Sequence, residues 1–303
     1  MAIGYIAYHL MQAHEVSLID GMNFSGSRWI YLTIPSLLLV ILNWGIEIKK
    51  WHLLVGPSLE VSLRSSIKGV LSGSTVGILT PNRIGEFVGR VIALRPGVRS
   101  KGAVLSLLNG ASQSLATITF GFAGLIFLLY IKGEAAIGTP AALSIQLILV
   151  AFLVILFFFY IRLPHFLISV CRIGKLQRFA DETSILQHVT QKELSNLYQL
   201  SLIRFMTFMA QYALVFYLLI DNPVWVLVFG ASALTLFSST IFAFIPIPDL
   251  LIRGSFALSY FGLFGFTPLV VAQAVLLVWM VNVALPALAG AVIILSHRIF
   301  ADN

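Results

Sequence analysis

Charge is scarce in this chain. Only 10% of its 303 residues are Asp, Glu, Lys or Arg, and 59% are hydrophobic. A soluble chain carries about 25% charged residues, so the composition excludes an ordinary soluble domain and indicates a polytopic membrane protein. Cysteine is nearly missing. The single Cys171 excludes a disulfide framework and a cysteine-built zinc cluster. The six histidines, His9, His14, His52, His165, His188 and His297, form no metal-spaced pair. Glycine-rich nucleotide loops, G-x-S-x-G and H-E-x-x-H are all lacking, so no cofactor, metal or enzyme activity is expected. No positively charged region precedes the first apolar stretch and no A-x-A site follows it, so no cleavable signal is expected. Residues 1–12 are too short to cross alone and read as part of a span that begins upstream. The net charge of +7 is assigned to cytoplasmic loops rather than to nucleic-acid binding.

The stretches long enough to cross are 29–48, 102–131, 141–163, 197–220 and 268–297, with 1–12 as a partial sixth. Two further apolar segments, 61–97 and 223–265, are interrupted near their middles. The first is broken by Thr80-Pro81-Asn82-Arg83 and the second by Pro246-Ile247-Pro248-Asp249. Proline removes a backbone donor and clashes with the preceding turn, so both segments must bend or break there.

Charge chooses the topology. If both broken segments enter and leave on one side, every Lys and Arg except Arg28, Lys132 and Arg253 faces a single compartment. The positive-inside rule makes that compartment the cytoplasm and places the C-terminus there. Letting one or both broken segments cross degrades this bias. The expected fold is therefore an all-α polytopic membrane protein with about six transmembrane helices and two re-entrant helical hairpins. Residues 1–131 and 141–297 follow the same order of elements from opposite sides, as a single membrane domain made of an inverted repeat. Paired, interrupted hydrophobic segments of this kind point to a transporter-type site. The linker 164–196 is the one long polar stretch. Phe166, Leu167, Val170, Ile173 and Leu176 alternate with Arg172, Lys175 and Arg178 at helical spacing. Two readings fit it: an amphipathic helix on an anionic leaflet, or a plain connector.

The candidate site residues cluster at the breaks. Ser65, Gly69, Gly73, Gly77, Pro81, Gly85 and Gly89 recur every four residues, and before the proline this is a ridge of small residues that admits a close helix neighbour. After it, Arg83, Glu86 and Arg90 share one helix face, where Glu86 is in reach of either arginine. Thr80 suits a cap and Pro81 a first helical position. The N-terminus of that half-helix beside Arg83 then forms a pocket for an anion such as phosphate. Pro248, Asp249 and Arg253 repeat the arrangement in the second segment. Charges at membrane depth are costly and mark a site by default, although snorkelling of Arg83 and Arg90 to cytoplasmic water, with Glu86 neutralising them, is the competing explanation. Asn109, Gln113 and Gln211 sit on polar stripes of full spans and are expected to line a cavity. Asn43 with Glu47, Arg204 with Thr207, and Gln273 and Asn282 are further polar positions on spans.

"SGSTVGILTPNRIGEFVGRVIALR" followed by "FIPIPDLLIRGSFALSYFG" resembles the lysylphosphatidylglycerol synthase transmembrane-region family. This is the flippase-like module of the bacterial multiple peptide resistance factor, which also occurs free of a synthase domain. Thr80, Pro81, Gly85, Glu86 and Arg90 match its first motif, and Pro248 and Arg253 match its second. In the second, Asp249 to Ile252 replace glycines and Gly254 stands at a glutamate position. The resemblance covers nearly the whole chain. It implies two oppositely inserted re-entrant helices and movement of aminoacylated phosphatidylglycerol between leaflets of a bacterial cytoplasmic membrane. The chain ends at Asn303, just after the last span, so the module is expected without the synthase. The function expected is a lipid translocator acting on an anionic or aminoacylated phospholipid or a polyprenyl-phosphate lipid. Arg83, Glu86, Arg90, Asp249 and Arg253 would meet the headgroup. The alternative is a non-transporting membrane subunit that docks a lipid-modifying or sugar-transferring enzyme at its cytoplasmic face. A homo-oligomer fits either reading.

Overall fold

A computed structural model describes residues 27–80, 85–131, 139–220, 222–245 and 247–296. Residues 1–12, Pro81, Arg83, Pro246 and Arg298 lie outside them. About 90% of the structure is helical, and among the described residues none lies in a strand. This is an all-α membrane protein. Among the described residues, four helical stretches are long and apolar enough to cross a bilayer: Pro96–Ile131, Pro140–Val170, Gln191–Leu219 and Pro268–Ser296.

In chain order, α1 is Ser27–Leu59, α2 is Leu63–Ile78 and α3 is Gly85–Ile92. A short 3-10 turn leads into α4, Arg99–Ile131, and α5 is Pro140–Val170. Then come α6, Gln191–Leu219, α7, Trp225–Ile241, and α8, Asp249–Leu263. The last apolar stretch is α9, Pro268–Trp279, a π turn over Met280–Ala284, and α10, Leu285–Ser296.

Local chemistry sets the ends. Glu60 takes a left-handed conformation (φ 53°) after α1, and Val61 N–H closes back on the Gly56 carbonyl at 3.2 Å. Gly265 does the same after α8, with φ 84° and Phe266 N–H on the Phe261 carbonyl. Ser62 caps α2 by accepting from Ser65 N–H at 3.2 Å. Thr190 and Glu193 form a reciprocal capping box at the start of α6.

Two helices run past the ends expected from apolar length. Helix α1 continues beyond residue 48 to Leu59, which carries Lys50 and Trp51 into buried positions. Helix α5 passes through Pro164 and stops at Val170 rather than at 163. Just upstream of that proline, the buried Tyr160 donates its hydroxyl to the Leu194 carbonyl at 2.9 Å and ties α5 to the helix that begins at Gln191. The linker 164–196 is not one helix. After Val170 it is a run of short pieces, Gly174–Phe179, Ala180–Thr183 and Ser184–His188. Phe166, Ile173 and Phe179 are exposed along it, while Ile185 and Leu186 are buried.

The chain forms two compact units that interleave along the sequence. The first holds residues up to Asn43, Thr117–Val150 and Phe205–Asn282. Its core joins Phe205, Met209, Tyr212 and Phe216 of α6 to residues of α7, α8 and α9. Phe216 stacks on Phe261 at 4.5 Å. Helices α7 and α8 pack against each other as a hairpin within this unit. The second unit holds Trp44–Ala116, Ala151–Arg204 and residues from Val283 onward. Here α2 and α3 form the other hairpin, and α10 packs on α2. Thr75 Oγ1 donates to the Ala287 carbonyl at 2.7 Å across that contact.

The glycine ridge is the packing surface of the α2–α3 hairpin. A Cβ on Gly73 would lie 2.7 Å from the Glu86 carbonyl oxygen, and one on Gly89 would lie 2.7 Å from Gly73 Cα. Gly69 faces the Arg90 carbonyl in the same way, at 3.2 Å. The backbones of the two arms touch, which only residues without a side chain permit.

Candidate functional site

In the second unit, charge gathers where α1, α3, α4 and α6 meet. Glu47 is 1% exposed and Lys50 is fully buried. One Glu47 oxygen, Oε1, accepts from Arg90 Nη2 at 2.6 Å and from Asn109 Nδ2 at 2.8 Å. The other, Oε2, faces Arg204 Nη1 at 2.8 Å and Lys50 Nζ at 3.6 Å. Gln113 Oε1 accepts from Lys50 Nζ at 3.2 Å and from Arg204 Nη1 at 3.4 Å. Arg90 also pairs with Glu86, one turn before it on α3. Two tryptophans close the cluster: Trp51 lies 5.9 Å from the Arg90 guanidinium and Trp44 lies 6.0 Å from that of Arg204.

Moving one ion from water into a protein interior costs several kcal/mol, so such groups persist only when paired and hydrogen-bonded. Glu47 is the hub that meets this need. It faces cations from α1, α3 and α6 at once, and Asn109 from α4 adds a neutral donor to its Oε1. Three cations against Glu47 and Glu86 leave the cluster with one positive charge in excess.

The first unit has a smaller pair. Pro248 stands as the residue before α8, with φ −53° and ψ 133°, and Asp249 opens the helix. Arg253 Nη2 contacts both Asp249 carboxylate oxygens at 3.1 Å. The order acid then base, four residues apart from the N-terminal end, suits both the i,i+4 geometry and the helix dipole. This pair is neutral overall.

The expected residues are distributed as follows. Glu86 pairs with Arg90, and Asp249 with Arg253, as the helical spacing indicates. Arg90 is 4% exposed, so it does not snorkel to water. Asn109 and Gln113 belong to the Glu47 network, whereas Gln211 lines a cavity in the first unit. Thr80 does act as a cap, but for Gly85: its Oγ1 accepts from Gly85 N–H at 2.8 Å while it reaches back to the Gly77 carbonyl at 3.1 Å. Thr80→Val should therefore cost about 1 kcal/mol, seen as a lower midpoint of heat-induced aggregation in detergent. Pro81, Arg83 and Pro246 fall outside the described residues.

Sequence reasoning did not gather Glu47, Lys50 and Arg204 into one site. The signal was present, because Glu47 lies four residues after Asn43 on a span and three before Lys50. Counted by composition alone, Lys50 reads as one of the loop charges that set orientation. Among the described residues no group of three His, Cys, Asp or Glu side chains could hold a metal ion. Compared with known proteins, the chain matches no family model, no curated protein and no solved structure.

Proposed function

We propose that this chain is a membrane lipid translocator that moves a lipid with an anionic or aminoacylated headgroup between leaflets. The observation that carries this reading is charge at both helical hairpins, with Arg90 buried between Glu86 and the Glu47 of α1 in one and the half-buried pair Asp249–Arg253 in the other. Ionisable groups at membrane depth are retained against their cost when they meet a polar cargo. Hairpin arms of 16, 8, 17 and 15 residues support the re-entrant reading, since a span needs about 20. In this proposal the two hairpins enter from opposite faces of an inverted repeat, in a bacterial cytoplasmic membrane with the C-terminus inside. Arg83 in one hairpin and Arg253 in the other are each assigned to contact with a headgroup phosphate, and Glu86 and Arg90 tune the cytoplasmic side. The motif around Thr80, Gly85, Glu86 and Arg90 supports membership of the lysylphosphatidylglycerol synthase transmembrane-region family.

Proteoliposomes with fluorescent phosphatidylglycerol test it. The protein should speed leaflet exchange well above empty vesicles, and Arg83→Gln or Arg253→Gln should slow it at least about tenfold, the loss of one charge-assisted contact. Exchange no faster than in empty vesicles, or unchanged in both variants, would end the proposal.

A further inference from the structure

Helix α5 has 31 residues, so at 1.5 Å per residue it is about 46 Å long. A bilayer with its headgroup layers is about 40–45 Å thick. As α5 crosses, the residues that follow Val170 therefore leave it at the level of the headgroups. No acidic residue occurs between Glu134 and Asp181, whereas Arg162, Arg172, Lys175 and Arg178 are all basic. Arg172 and Arg178 are exposed, and among the described residues no ion pair involves either.

Gly174–Phe179 is a 3-10 helix rather than an α-helix. Such a helix has three residues per turn, so positions i and i+3 fall on one edge. Leu176 and Phe179 thus share an edge. Ile173 leads it, its carbonyl accepting from Leu176 N–H at 3.3 Å. Ile173, Leu176 and Phe179 are 70%, 42% and 41% exposed. Positions 172, 175 and 178 form the neighbouring row, and all three are basic. The Arg178 guanidinium lies 4.8 Å from the Phe179 ring, where the two rows meet. An exposed apolar row is unfavourable in water, and beside a basic row it suits the boundary between acyl chains and phosphates.

We propose that this 3-10 segment docks on the anionic phospholipids of the leaflet around the protein. Ile173, Leu176 and Phe179 enter the acyl boundary, and the row 172, 175 and 178 brings positive charge to lipid phosphates. Phe158, Phe159 and Phe166 of α5 are exposed as well, so exposed apolar residues recur from the span into the segment. That recurrence favours lipid over a partner protein as the occupant. The proposal does not depend on lipid translocation.

Cys171 is the only cysteine and is partly exposed, so the segment takes a fluorescent label beside Ile173 without any substitution. The labelled full chain is placed in nanodiscs of phosphatidylcholine alone, or of phosphatidylcholine and phosphatidylglycerol in equal parts. Both carry lipid with a nitroxide just below the headgroup, which quenches a label that reaches that depth. Quenching should be strong with phosphatidylglycerol and weak without it. Salt at about 1 M, where the Debye length is about 3 Å, should reverse it. Arg172→Gln with Arg178→Gln should lower the ratio of docked to undocked label about 25-fold, about fivefold per charge. Leu176→Ser with Phe179→Ser should lower it too. Both pairs are exposed, and should one double variant not fold, the other decides. Equal quenching in the two membranes, or quenching that survives the double variants, overturns the proposal. A label quenched in neither membrane leaves the segment in water for a partner protein, and overturns it as well.

Discussion

Glu47→Ala should lower the stability of the protein by about 3–5 kcal/mol, the largest effect expected of any single substitution here. Glu47 is the carboxylate that Lys50, Arg90 and Arg204 share. Its removal leaves Glu86 as the counter-charge to three cations, and the excess rises from one positive charge to two. Asn109 Nδ2 loses its acceptor as well. Glu47→Gln should cost nearly as much, because it keeps the shape and one acceptor but not the charge. The check is a rescue. In Glu47→Gln combined with Lys50→Met, one cation leaves with the carboxylate, and much of the loss should return. The coupling between the two sites should exceed about 1 kcal/mol, since groups in one charged network are far from additive. Midpoints of heat-induced aggregation in detergent, read for all four proteins of the cycle, give the answer. A Glu47→Gln protein within about 1 kcal/mol of the wild type would mean that water, not protein, solvates these charges.

The second large effect belongs to the glycines. Gly89→Val should cost about 3 kcal/mol, at the upper end of what overpacking produces. Its Cβ would meet Gly73 Cα at 2.7 Å and the Ser72 carbonyl oxygen at 2.8 Å. Both are backbone atoms, so no rotamer change relieves the clash and the two arms of the hairpin must separate. Gly290→Val should behave alike, because its Cβ would lie 2.0 Å from the Leu71 carbonyl oxygen at the contact of α10 with α2. Gly45 is the control. It lies inside α1 with nothing within 4 Å of an added Cβ. Gly45→Ala should therefore stabilise by about 0.5–1 kcal/mol through helix propensity. Equal losses at Gly45 and Gly89 would show that glycine matters here for backbone freedom rather than for close approach.

A smaller effect separates polar glue from charge. Asn282→Leu breaks the bonds to Asn43 and Gln211 but buries no uncompensated ion. Hydrogen bonds between membrane helices average about 0.6 kcal/mol, so its loss should be several-fold below that of Glu47→Ala in the same assay.

What the chain determined by itself is whatever depends on near neighbours in sequence. Apolar length marked five full-length stretches, four of which are helices long and apolar enough to cross a membrane among the described residues, and Thr80 and Pro248 marked the ends of hairpin arms. The pairs Glu86–Arg90 and Asp249–Arg253 follow from the rise of one helix turn, which no distant residue can alter. The four-residue glycine period announced a close contact, though not that its partner would be the next helix. Tertiary structure decided the rest. Glu47 meets Arg90 and Arg204, and Asn43 meets Asn282, only because helices far apart in sequence pack side by side. Nothing in the local spacing of α1 says which cations will surround its carboxylate. Helical periodicity tells which side chains share a face, and packing alone tells what that face will touch.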